Sequence, residues 1–275
     1  MVWAPRTFYI VAPPNVTMLV LRIAYDGSLF HGSQRQPHGQ TVEDTLLSRL
    51  CAVDAANYAS PPALRLVSRT DRGVSARESF AFLALDKDIL LAHNRLERMN
   101  AMDGGLWITG LGEGTYSPPY HKEYRYFLPP DVCRGERLEE ACALFSGTHD
   151  FASFSRQNPE KTTIRTVSLS LDDSTGHPAL VFGGTGFLWQ MCRRIAYACI
   201  GIARGNLQIE QIASLLTHPT KRKIPAAPAD FLLLTRVDVP FQCTDVLSGR
   251  TAMAAYYTSA FERHAALSAL SKYLL

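Results

Sequence analysis

Ser68-Arg69-Thr70-Asp71-Arg72-Gly73-Val74-Ser75-Ala76 is the stretch on which the reading of this chain turns. A single carboxylate, Asp71, stands among arginines at positions 65, 69, 72 and 77. The apolar runs on either side, Leu64 to Val67 and Ser79 to Leu85, read as strands, which makes the charged segment a turn between them. Gly73 gives that turn its backbone freedom and lets main chain come close to a ligand. Neighbouring cations favour the ionised form of a carboxylate, and spare guanidinium forks suit phosphate oxygens. An anionic nucleophile or base beside a polyanion is one reading. Charge alone favours the plainer one, a solvated, salt-bridged loop.

Outward from this hairpin, the hydrophobic periodicity predicts a strand over Met18 to Tyr25. Thr41 with Asp44 then opens a helix carrying Val42, Leu46, Leu50 and Val53 on one face. On the other side Asp88 opens a second helix through Met99, followed by a strand over Leu106 to Leu111. The order is β-α-β-β-α-β. The second half repeats that grammar: strand 123–128, helix 136–146, strands 164–171 and 179–183, helices 187–204 and 208–217, and strand 231–238. The fold class expected is α+β, two ferredoxin-like halves. Pro118-Pro119 marks the seam between them. The expected division is an extension over 1–17, halves over 18–117 and 118–240, and a helical tail over 241–275, whose apolar stripe suits packing.

The order of residues in the charged turn closely resembles the signature loop of the TruA family of pseudouridine synthases, where Arg-Thr-Asp, Gly-Val, a small residue and Ala frame a catalytic aspartate. Further segments match in the same order. Tyr25-Asp26-Gly27 with Phe30, Gly32, Gln34, Gln36, Thr41-Val42 and Leu46 resembles the family's amino-terminal block. Lys122-Glu123-Tyr124-Arg125-Tyr126 resembles its basic-x-Tyr-Arg-Tyr strand, and Gly147 to Phe151 with Ser153-Phe154 its mid-chain block. Gly186-Phe187-Leu188 through Met191, Arg193 and Ile195 resembles its carboxy-terminal helix. The resemblance runs from about residue 18 to residue 239. Ser68 and Ser75 replace the Gly and His often found there, a variant that looks more like the archaeal branch. The segment before Tyr124 lacks the arginine many members carry near Ser117.

The resemblance implies one extended antiparallel sheet with helices on one face and a central cleft. It also implies a cofactor-free tRNA pseudouridine synthase acting just 3′ of the anticodon, as a homodimer gripping one tRNA. Such chemistry needs a carboxylate to attack C1′ or C6 or to remove the C2′ proton, and a flat surface for the detached base. Which of the three the carboxylate does is open. Asp71 is assigned that carboxylate, because Asp26, Asp44, Asp86, Asp88 and Asp150 read as turn, cap or hydrogen-bonding residues. Tyr124 offers a ring and a hydroxyl to the uracil. On pattern alone it is a core aromatic of a strand alternating with Tyr126 and Leu128, and Tyr126 is read as structural. Arg193 and Arg194 diverge by ~100° on a helix, so at most one can face the carboxylate. The resemblance selects Arg193 and leaves Arg194 for phosphate or solvent. Arg69, Thr70, Arg72 and Gly73 in the loop are candidates for RNA binding, Arg69 by resemblance helping to extrude the base. Arg35, Arg65, Arg77 and the run Lys221-Arg222-Lys223 are candidates for phosphate, the run being equally readable as a solvated loop.

The bulk composition sets limits without naming a function. With 275 residues, 47% hydrophobic and 19% charged, the chain is expected to bury a full core. A net charge of +3 means that RNA would be held by local patches, not by a global field. The six cysteines form no C-x-x-C pair and the histidines show no ligand spacing, so no metal is expected, and the resemblance implies no cofactor. No membrane span or leader is expected, and cytoplasm is the default compartment. Three rivals remain: an RNA-binding relative that has lost catalysis, a plain RNA-recognition module, and a metal-dependent hydrolase. The first is opposed by intact Asp71, Tyr124 and Arg193, the second by the missing aromatic motif, the third by the missing ligand cluster.

Overall fold

The computed structural model describes residues 16–54, 62–85, 87–132, 134–156, 162–220 and 224–274, with side chains as far as residue 263. In chain order its strands are β1 (Thr17–Tyr25), β2 (Leu64–Leu66), β3 (Ser75–Leu83), β4 (Leu106–Thr115), β5 (Lys122–Phe127), β6 (Gly147–Asp150), β7 (Ile164–Asp172), β8 (Ala179–Gly184), β9 (Leu232–Val237) and β10 (Cys243–Asp245). Its α-helices are α1 (Val42–Val53), α2 (Lys87–Leu91), α3 (Arg95–Asn100), α4 (Glu136–Phe145), α5 (Met191–Ala203), α6 (Ile209–Thr217) and α7 (Leu247–Leu274). The class is α+β, with a large, mostly antiparallel open sheet. The chain gathers into two compact units. One comprises residues up to Arg69, Ser79–Tyr116 and Pro240 onward, and the other Thr70–Glu78 and Ser117–Val239.

The first unit follows the order β1, α1, β2, β3, α2–α3, β4, with its strands side by side as β4-β1-β3-β2 and β10 outside β4. Val42, Leu46, Leu50 and Val53 on α1 are all buried, the face the sequence period predicts. That helix starts where expected because Thr41 caps it: its Oγ1 accepts from the Asp44 N–H at 3.1 Å and donates to the Asp44 carboxylate at 2.6 Å. The second predicted helix is not continuous. It breaks at His93 and Asn94, both left-handed with φ of 56° and 52°, and resumes at Arg95. Leu90, Leu96 and Met99 are still buried on either side of the break, which is why periodicity alone ran straight through it. Buried Arg49 helps close this region by donating to the carbonyls of Met99 at 3.1 Å and Met102 at 2.8 Å, near the carbonyl end of α3.

The second unit repeats the arrangement as β5, α4, β7, β8, α5–α6, β9, with strands in the order β9-β5-β8-β7. β6 is an addition that pairs with β7 at the edge. The sheet is not wholly antiparallel, because Ser75 and Ala76 at the start of β3 run parallel to Leu233 and Leu234 of β9. β3 therefore begins four residues earlier than its apolar pattern suggested, directly after the charged turn. α5 begins later than expected, at Met191. Gln190 sits in the left-handed region at φ 63°, and residues 186 to 190 form a loop instead of a first helical turn. Ile195, Ala196, Ala198, Cys199 and Ile202 then bury the apolar side of the helix.

Candidate active site

Asp71 opens a tight turn closed by a hydrogen bond from the Val74 N–H to the Asp71 carbonyl at 3.1 Å. Gly73, the third residue of that turn, has φ of +85°, the backbone geometry that a type II turn demands and glycine supplies without strain. Space imposes the same choice: a Cβ built on Gly73 would lie 2.8 Å from a carboxylate oxygen of Asp230 and 3.0 Å from Cβ of Ala229. The segment before β9 therefore lies directly against the turn that carries Asp71. Both belong to the second unit, as do Tyr124 and Arg193.

Arg193 projects from the first turn of α5 and is fixed by two different nitrogens. Its Nη1 donates to Asp71 Oδ2 at 3.2 Å, and its Nε donates to the Ala227 carbonyl at 2.7 Å. The Ala227 N–H returns a bond to the Arg193 carbonyl at 3.0 Å, so the 224–230 segment and the helix start are tied reciprocally. The ion pair is half-buried, with side-chain exposures of 21% for Asp71 and 15% for Arg193. Arg194, which the resemblance leaves for phosphate or solvent, diverges from it as the helix period requires and turns to acceptors within the protein. Its guanidinium donates to the Ile224 carbonyl and, at 2.8 Å, to Gln190 Oε1. A partly buried guanidinium without acceptors would be costly, and the 224 segment supplies one. Cys192, next to Arg193 in the helix, is buried, and its thiol is pushed far above its ordinary range by burial and then by the Asp71 charge, which favours the protonated form.

Alternation along β5 places Lys122, Tyr124 and Tyr126 on one face of the strand and Glu123 and Arg125 on the other. Arg125 pairs with Asp172 at 2.6 Å and Glu123 accepts from Thr235 Oγ1 at 2.8 Å, which accounts for that second face structurally. Tyr124 is only 6% exposed and meets Phe187 edge to face, with ring centres 5.3 Å apart. Tyr126 is fully buried. Burial raises its phenol to about 12, with Arg193 opposing and Asp230 adding to the shift, which places its hydroxyl within the field of both. Burial also lowers the ammonium of Lys122.

The other predicted residues that are described fall in both units. Thr70 is buried, Gly73 shapes the turn, and Arg72 and Arg77 are exposed in the same unit. Arg35, Arg65 and Arg69 belong to the first unit. There Arg69 is exposed, the Arg65 guanidinium lies 4.5 Å from the centre of the Tyr116 ring, and Arg35 is paired with Asp44 at 2.7 Å. The Lys221-Arg222-Lys223 run lies outside the described residues. Sequence reasoning overlooked Ala227, which contributes through its backbone and leaves no side-chain signal, and Asp230. Phe187, in the Gly186-Phe187-Leu188 segment, carries no signal of its own that it would meet Tyr124. Among the described residues no group of three or more His, Cys, Asp or Glu could hold a metal ion, and no helix is long and apolar enough to cross a membrane.

A partly buried carboxylate on a tight turn, paired with a guanidinium that is itself anchored, is an arrangement suited to nucleophile or base chemistry. A family model described as tRNA pseudouridine synthase matches residues 141–240, which include Arg193. The chain is 33% identical over 270 residues to the tRNA pseudouridine synthase A of Pyrococcus furiosus, covering 94% of this chain and 97% of that protein. The protein of the same name from Methanocaldococcus jannaschii is 32% identical over 231 residues, 82% of this chain and 86% of the relative. For that from Methanosphaerula palustris the identity is 33% over 232 residues, with 80% and 79% covered. With likeness of this extent along nearly its whole length, the chain belongs to the tRNA pseudouridine synthase A family, in its archaeal branch.

Proposed function

We propose that the chain isomerises uridine to pseudouridine in the anticodon arm of tRNA, just 3′ of the anticodon, with Asp71 as the catalytic carboxylate and neither metal nor cofactor. The observation that carries this is the Asp71–Arg193 pair, held at 3.2 Å on a turn that only glycine at position 73 allows. The reaction breaks the bond from C1′ to N1, turns the uracil and joins C1′ to C5; the C5 proton leaves and N1 gains one, so composition is unchanged. Asp71 supplies the negative charge that attacks C1′ or C6 or takes the C2′ proton. Arg193 points it and balances its charge within a half-buried setting. Tyr124 meets the base, and buried Tyr126 is structural, on the same face of β5. Arg69 takes the place of the extruded base, since the reacting atoms are out of reach inside a helical stack. Thr70, Arg72, Gly73, Arg35, Arg65, Arg77 and the 221–223 run contribute to holding RNA, and two copies of the chain grip one tRNA.

Site-resolved pseudouridine mapping of unmodified tRNA, incubated with wild-type protein or with Asp71→Asn, tests this. The expected outcome is product just 3′ of the anticodon with wild type only, while Asp71→Asn keeps tRNA affinity within about tenfold, ~1.4 kcal/mol, because phosphate contacts dominate binding. Wild-type product elsewhere would overturn the substrate assignment. Product from Asp71→Asn would overturn the role of the carboxylate.

A further inference from the structure

The loop between β8 and α5 carries a feature that the assigned chemistry leaves unused. Trp189 keeps 52% of its surface exposed, and the Arg156 guanidinium lies 4.2 Å from the centre of its ring. The Arg156 N–H also donates to the Trp189 carbonyl at 3.0 Å, so side chain and main chain hold the two residues together. The Arg156 guanidinium packs on the Trp189 ring, and about half of the indole surface stays open.

The loop is firmly placed. Phe187, two residues earlier, packs edge-on against Tyr124, and Met191 N–H donates to the Leu188 carbonyl at 3.0 Å. Gln190 holds a left-handed backbone that costs energy for a non-glycine residue, and its side chain accepts from Arg194 at 2.8 Å. Strain of this kind gathers at ligand clamps. Trp189 thus stands four residues before Arg193, which meets Asp71, on the same loop and helix start.

The local charge is positive. Burial and then the repulsion of Arg193 and Arg156 lower the Arg194 guanidinium, which sets the three arginines near one another. Arg193 is committed to Asp71 and Ala227, and Arg194 to Ile224 and Gln190. Among the described residues no carboxylate pairs with Arg156. An exposed indole face beside a guanidinium that no carboxylate pairs among the described residues matches a nucleobase and its phosphate better than it matches an apolar protein surface.

We propose that Trp189, backed by Arg156, is a stacking platform for one unpaired base of the RNA substrate, with the guanidinium meeting the adjacent phosphate. The proposal rests on the synthase reading and adds a contact beyond the reacting uridine.

The test compares binding of an unmodified tRNA transcript and of a fully paired RNA duplex of similar length by wild type, Trp189→Ala, Trp189→Phe and Arg156→Ala, with thermal unfolding to show that each variant is folded. Trp189→Ala is expected to weaken transcript binding about tenfold or more, Trp189→Phe to stay within about threefold of wild type, and duplex binding to be unchanged by either. Arg156→Ala is expected to weaken the transcript and flatten its salt dependence. Unchanged transcript affinity in Trp189→Ala would overturn the platform, as would an equal loss for the duplex or a Trp189→Phe as weak as Trp189→Ala. Because binding needs no turnover, the two readings fail separately. A wild type that binds through Trp189 but forms no pseudouridine contradicts only the synthase reading; one that forms it while Trp189→Ala binds normally contradicts only the platform.

Discussion

Arg193 spans two acceptors with two nitrogens, reaching Asp71 through Nη1 and the Ala227 carbonyl through Nε. A lysine carries the same charge on one nitrogen and cannot hold both partners at once. Arg193→Leu is therefore expected to cut single-turnover pseudouridine formation at least tenfold, equivalent to ~1.4 kcal/mol, and Arg193→Lys to recover little of it. Near-wild-type rates in Arg193→Lys would show that charge alone suffices. Asp71 and Arg193 were legible because each is an ionisable residue out of keeping with its local pattern, one in a turn crowded with arginine, the other in an apolar helix. That they meet was legible only through the family resemblance, since 122 residues separate them. The Ala227 carbonyl was invisible, because any residue offers one. Arg194 was half legible: helix geometry predicted its divergence from Arg193, but the acceptor that draws it inward belongs to a segment with no pattern of its own.

Elements were legible where they were long enough to show a period or began with a chemical signal. Thr41 and Asp44 announced α1, and their reciprocal bonds at 3.1 and 2.6 Å place the start there. Thr41→Ala should cost about 1 kcal/mol of stability, read as a lower midpoint in urea unfolding with an unchanged slope. No change in midpoint would mean that packing of Val42 and Leu46 alone fixes the helix start. β6 and β10, of four and three residues, are too short for alternation to register. The break at His93–Asn94 escaped notice because both flanking turns keep the same buried face. The early start of β3 depends on a distant strand, and no local pattern at Ser75–Ala76 could have announced it.

At the scale of the molecule, a net charge of +3 over 275 residues offers little long-range attraction to tRNA, so grip falls to local arginine groups, which the proposed pairing of two chains would double. Light scattering at the concentration used for activity assays should give twice the mass of one chain; a fully active monomer would reject the shared grip. The pairing of β3 with β9 also bears on the order in which the site is assembled. Asp71 emerges from the ribosome early, yet its guanidinium follows 122 residues later, and the parallel partner of Ser75–Ala76 comes later still, in Leu233 and Leu234. An interrupted translation product thus exposes a carboxylate with nothing to aim it. On the proposed role of Asp71, a chain ending before residue 193 carries the carboxylate without the guanidinium that pairs with it, and the site is complete only once both have been made.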